Sequence, residues 1–96
     1  SYICYTILNE CCREIILYHN IKHNAHCNTS INNFYIDTRY RCTLLPSLNT
    51  LRLDNHTKYT DYSTFFNTFN ESIQHNNNEF EKYLSLYKKD LLKKIL

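Results

Sequence analysis

The stretch TSINNFYIDTRYRCT, residues 29–43, decides the fold. Ile31, Phe34, Tyr35, Thr38 and Cys42 recur at i, i+3, i+4, i+7 and i+11, the period of an amphipathic helix. Thr29 or Ser30 stands where an N-cap hydroxyl is wanted. Period-two alternation is confined to Leu51-Arg52-Leu53, and a chain with no glycine has only Asn-Asn turns with which to close hairpins. The stretch therefore reads as a helix, and the chain reads as all-α.

Three further segments agree. Over residues 2–21, Ile3, Cys4, Ile7, Leu8, Cys11, Cys12, Ile15 and Ile16 form one continuous apolar stripe, and Asn20, His23 and Asn24 supply an end. Over residues 60–75, Thr60 or Asp61 is the expected cap, Tyr62, Phe65, Phe66, Phe69 and Ile73 share a face, and Asn76-Asn77-Asn78 ends the run. A last helix starts at Asn78, with Glu81 three residues on; Phe80, Tyr83, Leu84, Tyr87, Leu91 and Ile95 line its apolar side. The expectation is a single domain, residues 1–96, folded as an all-α bundle of about four helices, with residues 44–58 the least regular part.

Composition limits the chemistry. With no glycine the chain has neither a phosphate-cradling loop nor a nucleophile elbow. Its 13 asparagines and 9 tyrosines, with no valine and one proline, follow AT-rich codon usage. Net charge is only +2, and the basic excess is confined to residues 79–96. That is too weak and too local for a nucleic-acid binder, so no nucleic-acid partner is expected. No apolar run reaches membrane-spanning length.

Five cysteines in 96 residues suggest a disulfide-stapled secreted protein. Cys4, Cys11 and Cys12 lie on the inner stripe of the first helix, and Cys27 and Cys42 bracket the second. They are candidates for inter-helix disulfides, with the pairing open and one cysteine left over, either buried or joining two chains as a homodimer. Ser1 in place of an initiator fits a chain whose signal peptide has been removed. The sequons at Asn28, Asn55 and Asn70 permit secretion without arguing for it.

Among chemical constellations, His19 and His23 at i, i+4 with a nearby cysteine give a zinc site as the second reading. A nucleophilic pair can be imagined, for instance Cys12 or Cys27 with His19, His23 or His26, but it needs an oxyanion hole and a substrate cleft, for which a short glycine-free chain offers little. Glu79 and Glu81 are dipole-favoured acids at a helix start. No catalytic residue, cofactor or metal is therefore assigned, and no enzyme is expected. Tyr2, Tyr5, Tyr40 and Tyr59 are the candidate interaction surface, since tyrosine serves recognition well.

Cys4-Tyr5…Cys11 and Cys27…Tyr35…Tyr40…Cys42 resemble the paired Cys-Tyr-Cys motifs of the aphid BICYCLE salivary effectors. The resemblance implies delivery into plant tissue and carries no catalytic residue. The expected function is a secreted effector that binds a host protein without catalysis.

Overall fold

The computed structural model describes residues 2–72 and 78–94, the side chain of Asn78 excepted. Three helices, α1 (Tyr2–Lys22), α2 (Asn55–Ser72) and α3 (Asn78–Lys93), accompany two small antiparallel sheets. In one, β1 (Asn24–Ala25) pairs with β4 (Leu51–Arg52); in the other, β2 (Phe34–Ile36) pairs with β3 (Cys42–Leu44). A 3₁₀ turn, Ile31–Asn33, leads into β2.

The fold is therefore mixed α+β, not the expected four-helix all-α bundle, and the correction falls on residues 29–43. Phe34 is buried while Tyr35 and Ile36 are exposed, so one residue of this edge strand reaches the core where a helical stripe would have buried Tyr35 as well. The register is Phe34↔Leu44, Tyr35↔Thr43 and Ile36↔Cys42. Asp37 builds the turn that glycine was thought necessary for. Its Oδ1 accepts the Arg39 and Arg41 amides at 2.8 and 3.0 Å, and its carbonyl accepts the Tyr40 amide at 3.0 Å. The Asp37 amide donates to Arg41 O at 3.0 Å, and Tyr40 takes φ 62°, the left-handed place usually given to glycine in a three-residue hairpin loop.

The helices follow their patterns more closely. On α1, Leu8, Cys11, Cys12, Ile15 and His19 are buried. The helix closes at His23, φ 57°, whose amide reaches His19 O at 3.1 Å, so a histidine rather than an asparagine takes the left-handed position. Helix α2 begins before the expected Thr60 or Asp61. Asp54 and Thr57 cap it reciprocally: the Thr57 amide donates to Asp54 Oδ1 at 2.8 Å, and the Asp54 amide to Thr57 Oγ1 at 2.9 Å. Ile73, Asn76, Asn77 and Ile95 lie outside the described residues.

The core is aromatic. Phe65 of α2 sits with its ring centroid 5.5 Å from Phe34, 5.5 Å from Phe66 and 5.3 Å from Phe69. Burying each such ring stabilises the fold by about 1.5–3 kcal/mol. Phe80 and Leu84 complete the core from α3, and β3 closes it against α1. Among the described residues, no helix is long and apolar enough to cross a membrane.

None of the five cysteines is joined in a disulfide, which overturns the inter-helix staples expected of Cys4, Cys11, Cys12, Cys27 and Cys42. Cys11, Cys12 and Cys42 behave instead as small core side chains. The Cys11 thiol donates a hydrogen bond to Cys42, and Cys42 Sγ lies 3.9 Å from Ile7 O. Burial pushes the Cys11 thiol far up from its ordinary value and the Cys12 thiol up to about 12.

Candidate functional site

One buried carboxylate organises the connection between α1 and the hairpin. Asp61 of α2 is 1% exposed. Its Oδ2 lies 2.6 Å from His19 Nε2 and accepts the His26 amide at 2.9 Å, while its Oδ1 accepts the Cys27 amide at 2.9 Å. The Thr29 hydroxyl donates to the Asp61 carbonyl. Four residues of α1 and of the loop after β1 are thus fixed on one residue of α2. Two successive amides converge on one carboxylate, and the chain then leaves it through Cys27 at a left-handed φ of 67°.

His26 extends the network toward the hairpin. Its Nδ1 accepts the Asn28 amide at 3.1 Å, so Nε2 carries the proton and donates to Leu45 O at 2.6 Å. Leu45 also receives the Asn33 Nδ2 donor at 3.3 Å, and its amide returns to Asn33 O at 2.9 Å. These bonds tie His26 and Asn33 to Leu45 at the base of the β2–β3 hairpin, at the end opposite the turn.

At the tip, Arg39, Tyr40 and Arg41 are exposed, and Tyr35 is exposed on β2, two residues before the turn. Asp37, the acid among them, is turned onto the loop amides. Among the described residues neither arginine has an ion-pair partner. The tip offers one aromatic ring and two guanidinium groups on a loop whose shape is set from within, with a second ring on the adjoining strand.

The four expected surface tyrosines do not come together. Tyr40 is at the tip and is 41% exposed. Tyr2 is exposed at the start of α1, whereas Tyr59 lies on α2 two residues from Asp61, which bonds the far end of α1. Tyr5 is only half-buried; its ring packs edge-on against Phe80 at 5.0 Å and Tyr83 at 4.6 Å. Tyr35, Arg39 and Arg41 were missed because the helical reading put Tyr35 on the buried stripe and Arg39 and Arg41 on opposite sides of the axis.

His19 and His23 are also separated in role. His19 is buried against Asp61, and His23 is exposed at the helix exit. Among the described residues, no group of three His, Cys, Asp or Glu side chains could hold a metal ion. Cys27 is exposed, and desolvation and the Asp61 charge raise its thiol from the ordinary value, the opposite of an activated nucleophile. The chain matches no protein-family model, and neither a curated protein nor a solved structure is similar to it.

Proposed function

We propose that the protein is a non-catalytic binding protein that engages a host protein through the tip of the β2–β3 hairpin. The observation that carries this reading is the composition of the tip: Arg39, Tyr40 and Arg41 are exposed on a self-braced turn, with Tyr35 exposed on the adjoining strand. Tyrosine and arginine are the residues most enriched among the few side chains that dominate interface energy. Preorganisation lowers the ordering cost of association. The partner surface this fits is acidic and has a cleft for an aromatic ring.

Tyr40 adds a second support. A left-handed φ of 62° at a non-glycine residue costs on the order of 1 kcal/mol. Asparagine tolerates that conformation better and is the commonest residue of this chain, with 13 copies, yet tyrosine stands there. Display of the ring explains the choice; turn stability does not.

The secreted, effector-like part of the reading rests on the Cys-Tyr-Cys resemblance. With no disulfide formed, the cysteines no longer argue for an oxidising compartment. The test is quantitative capture from plant tissue extract by immobilised wild-type chain and by a Tyr35→Ala/Arg39→Ala variant. A partner retained by the first and lost by at least about tenfold in the second supports the proposal, since one dominant contact is worth about 2 kcal/mol or more. Equal retention by both overturns it.

A further inference from the structure

A cleft opens where the C-terminal part of α1, the first turns of α2 and the end of α3 meet, with a volume of about 320 Å³. Two lysines line it, Lys58 from α2 and Lys94 just beyond α3, together with the amide side chains of Asn20 and Asn55. Among the described residues, no carboxylate lines it. Two acids close in sequence to the lining residues are engaged elsewhere: Asp61 stands behind His19, which it bonds at 2.6 Å, and Asp54 is turned onto the start of α2 by Thr57, while Asp90 is exposed on α3. Among the described residues, neither lysine has an ion-pair partner.

A second, independent observation lies deeper in the same cleft. Tyr62 lines it and is 4% exposed, yet the one hydrogen bond of its hydroxyl is a 3.5 Å approach to His19 Nδ1, at the outer limit for such a bond. The hydroxyl donates to His19 through a weak bond, which it can exchange for a stronger acceptor entering the cleft. Ile16 and Leu91, both half-buried, give the cleft an apolar wall.

We infer that this cleft binds a small organic anion, its charged group between Lys58 and Lys94 and within reach of the Tyr62 hydroxyl, its apolar part against Ile16 and Leu91. Two ammonium groups facing one space repel each other, and an anion between them turns that repulsion into attraction. The volume stands at the small end of the roughly 300–1,000 Å³ typical of ligand sites, which suits a single ring carrying one phosphate or carboxylate. The cleft lies at the α1–α2 junction, away from the hairpin tip, so its occupancy is independent of the binding role proposed above.

The test is titration of the full chain with phenyl phosphate, followed by calorimetry and by amide shifts in nuclear magnetic resonance. Saturable one-to-one binding is expected, with shifts centred on Asn20, Asn55, Lys58 and Tyr62. Lys58→Gln and Lys94→Gln each weaken it about tenfold, and Tyr62→Phe about fivefold, in line with hydrogen bonds to a charged group. Lys89→Gln, on α3 but outside the cleft, leaves it unchanged. Inorganic phosphate binds at least fivefold more weakly than phenyl phosphate. Circular dichroism confirms that each variant is folded. Non-saturable binding, an equal loss in Lys89→Gln, equal affinity for inorganic phosphate, or equal affinity for neutral benzyl alcohol each overturns the inference.

Discussion

His19 Nε2 and Asp61 Oδ2, 42 residues apart in sequence, meet at 2.6 Å in the interior, both side chains almost wholly out of water. This pair joins α1 to α2 directly. It is stabilising only because Asp61 is also supplied with two backbone amides; a buried carboxylate with one partner is a weak asset.

Removing that carboxylate orphans three donors at once. Asp61→Ala is expected to cost about 3–5 kcal/mol in urea denaturation, the range for breaking one side of a buried pair. Asp61→Asn keeps one acceptor oxygen and is expected to cost less. A loss under about 1 kcal/mol in Asp61→Ala would show that the loop after β1 does not depend on it.

The tautomer of His26 is determined by its partners. Because Nδ1 accepts the Asn28 amide, nitrogen-15 resonance of the folded protein at neutral pH is expected to show the Nε2–H form. The other tautomer would place two donors face to face. His26→Ala leaves the Asn28 amide and one lone pair of Leu45 O unserved and is expected to cost about 2–4 kcal/mol, judged by the usual penalty for a buried unsatisfied group plus a cavity.

At position 40, stability and function should separate. Tyr40→Asn relieves the left-handed backbone and is expected to raise stability by ~0.5–1 kcal/mol, a melting-temperature gain of roughly 2–8 °C for a chain this size. The same variant is expected to bind its partner more weakly. A fall in melting temperature would show that the ring holds the hairpin together.

How much of this was legible beforehand differs by element. The stripe Leu8, Cys11, Cys12, Ile15 marked the buried face of α1 because a helix reports its burial at fixed local spacing. The same logic misled over residues 29–43, where Phe34, Tyr35 and Cys42 fall at helical intervals but belong to two strands. The overlooked signal was Asp37, a favoured first residue of a turn, after the strand-prone run Phe34-Tyr35-Ile36. Asp54 and Thr57 likewise spelled out the start of α2 in advance. Asp61 did not: its partners lie 34–42 residues away, and no local pattern encodes such a meeting.

Alkaline pH should destabilise the protein. The folded Cys12 thiol is held up at about 12 by burial, and Cys11 is shifted in the same direction, against an ordinary value of 9.0. Above pH 9 the unfolded chain gives up protons that the folded chain keeps, so stability is fully present below that pH and falls as pH rises toward 12. The slope is about 1.4 kcal/mol per pH unit for each thiol. Urea titrations under reductant at pH 8, 9, 10 and 11 check this; a flat profile above pH 9 refutes the burial of both thiols.

Thiol labelling gives an independent check. In native buffer Cys27 is expected to react first, Cys11, Cys12 and Cys42 only on unfolding, and all five in denaturant without reductant. Fewer than five labelled thiols would contradict the absence of disulfides.

The hairpin turn is braced by the backbone and carboxylate of Asp37 alone, and the side chains of Thr38, Arg39 and Tyr40 take no part in those bonds. Heritable change at these three positions can therefore alter what the tip recognises while the scaffold stays intact. A lineage could retarget the molecule one codon at a time, and close variants should diverge at 38–40 long before they diverge at Asp37, His19 or Asp61.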